Sequence, residues 1–116
     1  MFAAVAVVAF VAFWAACDTL FPHHPEGESL YREHCADCHG VDGAGNTVKG
    51  MGSPFADLLD NNWKYGGDDG SMGNIIREGV FGSMPAYKEK LTDQQIRAII
   101  GHIRVLRGEK TREVSP

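Results

Sequence analysis

The segment Cys35-Ala36-Asp37-Cys38-His39 is the most informative stretch of the sequence. It reads C-x-x-C-H, the spacing that is typical of c-type haem attachment. Two thiols at this spacing can add to the two vinyl groups on one edge of a porphyrin, and the histidine that follows directly brings its imidazole under the iron. The motif therefore predicts one haem c, bonded covalently through Cys35 and Cys38, with His39 as an axial ligand.

Three other interpretations of the cysteine pair stay open at this point. A zinc site would need four ligands, and the one further cysteine of the chain is Cys17. A thioredoxin-like redox pair would need a βαβ setting, whereas the flanks here are a predicted helix and a glycine-rich loop. A structural disulfide would suit an exported protein. We favour haem, because the rest of the chain agrees with it.

The second axial ligand is predicted to be Met84. Ligation of haem iron by His and Met is the arrangement of electron-transfer haems, in which Met raises the reduction potential. Met84 lies in a turn-rich segment, where Pro85 stiffens the backbone directly after it. The alternatives are Met72, which opens a predicted helix, and Met51, which lies among glycines soon after the C-x-x-C-H motif.

Trp63 and Tyr65 are candidate contacts of the haem propionates. Each side chain pairs an aromatic ring with one hydrogen-bond donor, and a partly buried propionate needs such donors. Packing in the hydrophobic core is the alternative interpretation of both side chains.

The composition agrees with a buried cofactor and excludes several functional classes. Of 116 residues 44% are apolar, but residues 2–16 are apolar without interruption. After Cys17 only roughly a third of the residues are apolar, so a small domain would have a thin core that a porphyrin can fill. The length excludes a large enzyme and a polytopic membrane protein, and the net charge of −4 argues against nucleic-acid binding.

The apolar residues of segment 1–17 predict export of the chain. As a helix the apolar run would be about 22 Å long, short of a hydrocarbon core of about 30 Å, which suits the apolar region of an export signal. The end of the segment resembles a bacterial lipobox, so Cys17 is a candidate lipid anchor; an uncleaved helical anchor and simple secretion are the alternatives. We expect a tether over 18–25, the folded domain over 26–108 and a polar tail over 109–116.

Helical periodicity and capping signals predict an all-α fold with about four short helices around the haem. The clearest helix begins at Thr92, which forms a capping box with Gln95, and it ends at Gly108. Two more helices are predicted over 26–34 and 71–80. The apolar residues of the last helix recur at helical spacing: Ile96, Ile99, Ile100, Ile103 and Leu106.

A further helix is predicted to begin at Ser53-Pro54. Serine suits the N-cap of a helix and proline suits its first position. Phe55, Leu58 and Leu59 would then lie on one face of this helix, and residues 61–67 would end it.

Residues 26–107 resemble a class I cytochrome c domain. The W-x-Y-G-G and M-P-A motifs are most similar to the haem domains of the membrane-bound subunit of cbb3-type oxidases and to related single-haem domains. Those subunits carry two haem motifs, whereas this chain carries one. The matching segments are C-A-D-C-H-G at 35–40, G-x-G at 43–45, W-x-Y-G-G at 63–67, I-I-R-E-G at 75–79 and S-M-P-A-Y at 83–87.

The resemblance implies an all-α fold in which the first and last helices cross near Gly27, Tyr31 and residues 99–103. It also implies that a backbone carbonyl near residues 53–54 accepts a hydrogen bond from the His39 ring, which fixes the ligand. His102 stands where an aromatic residue is common in the family, so we expect the helix crossing to be altered there.

The predicted function is one-electron transfer by a His39/Met84 haem in a respiratory or photosynthetic chain. We expect a non-catalytic carrier or cytochrome subunit, tethered through residues 1–17 at the periplasmic face of a bacterial cytoplasmic membrane, or soluble in the periplasm. Its partners would be redox proteins or subunits of a membrane complex, with no nucleic acid and no small-molecule substrate. The alternatives are an open-site haem protein, peroxidase-like or gas-binding, and a binding module without haem.

Charge is distributed unevenly along the chain. Residues 18–87 carry a net charge of −7 and residues 88–116 a net charge of +3. Asp37 and Asp42 lie within and just after the haem motif. We therefore expect a docking partner with positive charge, whose association weakens with salt; an ordinary solvated surface is the alternative.

Overall fold

The computed structural model describes residues 25–109, which form four helices. Cys17 and the rest of the predicted N-terminal segment, most of the tether and most of the tail lie outside the described residues. None of the helices in this range is long and apolar enough to cross a membrane. The helices are α1 Pro25–His34, α2 Ala36–His39, α3 Asp69–Glu78 and α4 Asp93–Leu106.

The predicted all-α class is confirmed. Within residues 25–109 the β pairing consists of an isolated bridge between Val80 and Met84. The last helix has the predicted capping box, in which Thr92 Oγ1 accepts from the Gln95 N–H at 3.2 Å and Gln95 Oε1 accepts from the Thr92 N–H at 2.9 Å.

Helices α1 and α4 cross closely and form the main helix pair of the domain. Gly27 is buried at the crossing, where a Cβ atom would lie 2.2 Å from the Ala98 carbonyl oxygen. One turn further along α1, the rings of Tyr31 and His102 lie with their centroids 5.1 Å apart. The crossing therefore lies where the resemblance implies, and the imidazole of His102 supplies the ring contact at its position.

The core lies where the apolar side of α4 meets α1 and α3. Tyr31, Ile96 and Ile99 are almost completely buried. Helix α3 begins two residues earlier than predicted, because the Asp68 side chain accepts from both the N–H and the hydroxyl of Ser71. These contacts leave the other side of α3 and the end of α1 facing the segments that hold the candidate site.

The prediction of a helix beginning at Ser53-Pro54 is wrong, because the segment forms a series of turns. Its backbone combines a local turn bond, from the Ala56 N–H to the Ser53 carbonyl at 3.3 Å, with a bond to a distant loop. The Leu58 N–H donates to the Gly43 carbonyl at 2.7 Å. The Asp57 carboxylate accepts from the Leu59 N–H at 2.7 Å, a local bond that competes with helix formation.

The apolar residues of this segment do not share a buried face. Leu58 is 9% exposed, whereas Phe55 and Leu59 are 39% and 40% exposed. A serine followed by a proline suits a turn as well as a helix start, so the local signal could not distinguish the two. Hydrogen bonds to residues distant in the chain stabilise the turns in place of a helix.

Candidate haem site

The six side chains predicted to contact the haem line one cavity of about 270 Å³. Met72 also lines this cavity, whereas Met51 does not and is 78% exposed. Cys17, the candidate lipid anchor, lies outside the described residues. The six side chains are those of Cys35, Cys38, His39, Trp63, Tyr65 and Met84.

The two motif cysteines lie at the junction of α1 and α2. The Cys35 N–H donates to the Tyr31 carbonyl at 2.8 Å, and the Cys35 carbonyl accepts from the His39 N–H at 2.9 Å. Both cysteines are free thiols, and Cys35 is buried. Burial, with a smaller contribution from the neighbouring Cys38, raises the pKa of the Cys35 thiol to about 11. Cys35 is therefore a neutral thiol near pH 7.

The orientation of the His39 ring is fixed by the backbone. His39 Nδ1 lies 2.8 Å from the carbonyl oxygen of Ala56. Because a carbonyl can only accept, Nδ1 carries the proton and Nε2 keeps its lone pair, which is the group that binds iron. Burial lowers the pKa of the imidazole although the bond to Ala56 opposes this, so the ring is neutral at pH 7.

The carbonyl that accepts from His39 belongs to Ala56 and not to residues 53–54 as expected. Ala56 lies in the turns that replace the predicted helix. Gly45 has a φ of +73°, and a Cβ atom there would lie 2.6 Å from the Ala56 carbonyl carbon. A glycine is therefore needed at this position for the loop after the motif to pack directly against Ala56.

Met84 is held in a short backbone pairing. The Val80 N–H donates to the Met84 carbonyl, and the Met84 N–H donates to the Val80 carbonyl, both at 2.9 Å. The Met84 side chain is partly buried and packs against the core. Gly79 ends α3 with a φ of 67°, and a Cβ atom there would lie 2.5 Å from the Met84 carbonyl oxygen. This close approach keeps the Met84 turn against the end of α3.

Trp63 and Tyr65 form part of the cavity wall. Among the described residues, neither the Trp63 indole N–H nor the Tyr65 hydroxyl has a hydrogen-bond acceptor, so both donors are available to a bound acid. The Lys64 ammonium lies 5.2 Å from the Tyr65 ring centroid, and it lines the same cavity. A propionate contact for Trp63 and Tyr65 stays a prediction.

Two contacts of the site were not identified from the sequence. The Tyr87 hydroxyl donates to the His34 carbonyl at 2.9 Å and ties the segment after Met84 to the end of α1. Lys49 Nζ lies 2.7 Å from Asp37 Oδ2, and this pairing lowers the pKa of the carboxyl. The acidic residue inside the C-x-x-C-H motif therefore has a cationic partner, which reduces its contribution to a negative docking surface.

The residues present fit a covalently bound haem. Two free thiols, a neutral imidazole with an available Nε2 and a thioether line the same cavity. The remaining walls include apolar side chains suited to a porphyrin: Leu58, Met72, Ile75, Ile76 and Ile103. Packing of a hydrophobic core alone would not require two thiols, an imidazole and a thioether on one cavity.

Comparison with known proteins agrees with a covalently bound haem. The solved structure titled KustC0563 c-type cytochrome is 36% identical, covers 73% of this chain and 98% of its own, and superposes with a TM-score of 0.58. The fold and the site thus define a c-type cytochrome domain. Residues 22–103 match the family described as cytochrome c oxidase, cbb3-type, subunit III, and the chain belongs to this family.

Two curated relatives show the extent of the similarity. The cbb3-type cytochrome c oxidase subunit CcoP of Azospirillum brasilense is 35% identical over 73% of this chain and 29% of the relative. The subunit FixP of Bradyrhizobium diazoefficiens is 36% identical over 73% of this chain and 28% of the relative. The chain thus spans less than a third of the length of these relatives. Because the chain belongs to this family, the cysteine pair is interpreted as a haem c site and not as a zinc site, a thioredoxin-like redox pair or a structural disulfide.

Proposed function

We propose that this domain transfers single electrons through a haem held by Cys35, Cys38, His39 and Met84. When bound, the haem supplies an iron that alternates between Fe(II) and Fe(III). The proposal is carried by one observation, the presence of the two thiols, the oriented imidazole and the Met84 thioether on one cavity. With both His39 and Met84 as ligands the iron would have no open position, which favours electron transfer over the peroxidase-like and gas-binding alternatives.

The side chains around these four residues have supporting roles in the proposal. The Ala56 carbonyl keeps the His39 ring in the tautomer that binds iron. Apolar side chains such as Met72 and Ile76, both 5% exposed, keep water away from the iron. Trp63 and Tyr65 donate to the propionates, since their donors have no other acceptor among residues 25–109.

Covalent haem is tested by a pyridine haemochrome spectrum of denatured protein from a host that matures c-type cytochromes. The wild-type chain is expected to retain its haem after denaturation, because thioether bonds do not dissociate. The Cys35→Ala, Cys38→Ala double variant should lose essentially all chain-bound haem. Cys17→Ser is the matched control and should leave haem content unchanged. A colourless wild-type preparation, or haem that stays covalently attached to the double variant, would contradict the proposal.

We further propose that the domain is a non-catalytic cytochrome subunit or carrier of a bacterial respiratory membrane complex. The proposal is supported by the relatives CcoP and FixP, which are named as subunits of cbb3-type oxidases. Its partners would be redox proteins or subunits of the complex. The domain would lie at the periplasmic face of the cytoplasmic membrane, connected to it through residues 1–17.

The form of the membrane connection is tested by mass spectrometry of the mature protein. We expect the N-terminus to be a diacylglyceryl-modified Cys17, because the residues before it resemble a lipobox. Cys17→Ala should then abolish the lipid mass and leave uncleaved precursor. An intact Met1 in the wild-type protein would instead indicate a retained helical anchor, and an unmodified cut would indicate simple secretion.

A further inference from the structure

We infer that Arg104 and Arg107, at the C-terminal end of α4, are positioning residues that hold the cavity wall formed by residues 58–69. The inference concerns two side chains that lie outside the quoted sequence motifs. The family match ends at residue 103, so both arginines lie beyond it. Their effect on the haem rests on the proposed function, whereas their contacts with the wall do not.

Arg107 binds the first part of this wall. Its Nη1 donates to the carbonyl oxygens of Leu58 and Asp60, the latter at 2.7 Å, and its Nη2 donates to Asn61 Oδ1 at 3.0 Å. The guanidinium carbon also lies 5.0 Å from the Trp63 ring centroid. The side chain is only 9% exposed. A planar guanidinium with several fixed donors suits this set of acceptors, and a lysine could not satisfy all of them.

Arg104 binds the other end of the wall. Its Nη2 donates to the Gly67 carbonyl and to Asp69 Oδ1, the latter at 2.8 Å. Gly67 itself packs on the Trp63 ring, since a Cβ atom at Gly67 would lie 2.9 Å from that ring. The side chain of Arg104 is 18% exposed. The two arginines therefore hold the segment at both ends, with Trp63 between them.

Glu109 connects the two arginines. Its Oε1 lies 2.6 Å from Arg107 Nε, and its Oε2 lies 2.9 Å from Arg104 Nη1. These bonds lower the pKa of the Glu109 carboxyl, the bond from Arg107 being the largest cause. Glu109, which the sequence assigns to the polar tail, is therefore part of the arrangement that fixes both guanidinium groups.

The wall held in this way is connected to the haem ligand. Ala56, whose carbonyl accepts from His39, lies two residues before Leu58. Leu58 is fixed on both sides, since its N–H donates to Gly43 and its carbonyl accepts from Arg107. Release of the Leu58 carbonyl would loosen the turn that carries Ala56, and release of Trp63 would let water reach the cavity.

These contacts differ from ordinary surface ion pairs. An exposed pair of opposite charges contributes little, because both partners remain solvated. Here three backbone carbonyls, those of Leu58, Asp60 and Gly67, accept from guanidinium groups that are mostly buried. Loss of the donor would leave these carbonyls without a protein partner, and the segment would open more often.

The test uses haem-loaded protein with Arg107→Gln, and Arg97→Gln as the matched control, because Arg97 is exposed on the same helix. Amide hydrogen exchange at Leu58 is expected to increase about tenfold or more in Arg107→Gln. The reduction potential should fall, because loss of a nearby positive charge and entry of water both favour Fe(III). Arg107→Lys, which keeps the charge, should recover part of the potential but little of the protection at Leu58.

The second variant is Glu109→Gln, which keeps both arginines and removes only the carboxylate between them. Glu109→Gln should increase hydrogen exchange a few-fold at the amides of both Leu58 and Gly66. If Arg107→Gln does not fold, this variant still tests whether the arginines hold the wall. Unchanged exchange would overturn the inference. Faster exchange with an unchanged potential in Arg107→Gln would also overturn it, because the arginines would then be structural only. Absence of haem in the wild-type protein would count against the proposed function instead.

Discussion

Met84→Ala is expected to convert the low-spin His/Met haem into high-spin or weakly ligated iron, while the haem stays attached through its thioether bonds. The charge-transfer band of Met-ligated Fe(III) should disappear, and CO should bind readily to the open position. The reduction potential should fall by a few tenths of a volt, a large share of the roughly 0.8 V over which axial ligands tune haem. Absorption spectroscopy and redox titration measure these effects.

Met84→Ala should remove the thioether and leave the backbone around it unchanged. The turn that carries Met84 is closed by backbone hydrogen bonds to Val80, which alanine retains. Met51→Ala is the first control, because Met51 is exposed and lies off the cavity. Met72→Ala is the second: Met72 is buried and lines the cavity, so this variant should lose about 2–5 kcal/mol of stability but keep the low-spin spectrum. An unchanged His/Met spectrum in Met84→Ala would contradict the prediction and would indicate that Met72 or Met51 is the ligand.

The parts of the fold that the sequence predicted well are those set by nearby residues. The capping box of α4 involves Thr92 and Gln95, three positions apart, and the structure contains both of its bonds. The spacing of the motif likewise places Cys35 and His39 on adjoining turns by local backbone bonds. Such contacts can be predicted because their geometry follows from the chain itself.

The parts that the sequence did not predict depend on partners far away in the chain. The segment after Ser53 forms turns because Leu58 binds Gly43 and Arg107, and the second of these partners lies 49 residues away. The acceptor for His39 is likewise distant, since Ala56 lies 17 residues after it. An arginine at the end of an amphipathic helix indicates only a favourable interaction with the helix dipole, so no local pattern identified Arg107 as a contact of the wall.

Gly27→Ala is expected to have the largest effect on stability, lowering the free energy of unfolding of haem-loaded protein by at least about 3 kcal/mol. The added Cβ atom would lie 2.2 Å from the Ala98 carbonyl oxygen, and this neighbour is helix backbone that cannot move aside alone. Denaturant unfolding measures the change. Gly73→Ala is the control: a Cβ atom there would lie 3.5 Å from the flexible Arg77 guanidinium, so this variant should be neutral or stabilising by about 0.5–1 kcal/mol.

The same substitution should also disturb the haem site, because the motif follows directly after α1. The buried Tyr31 hydroxyl donates to the Gly40 carbonyl at 2.7 Å, and the Tyr31 carbonyl accepts from the Cys35 N–H. If α1 is displaced from α4, Tyr31 moves with it, and the two cysteines and His39 shift relative to Met84, which is held by the end of α3. We therefore expect Gly27→Ala to weaken the Met–Fe(III) band as well as the fold. A variant with lower stability and an unchanged band would show that the motif is positioned independently of the helix crossing.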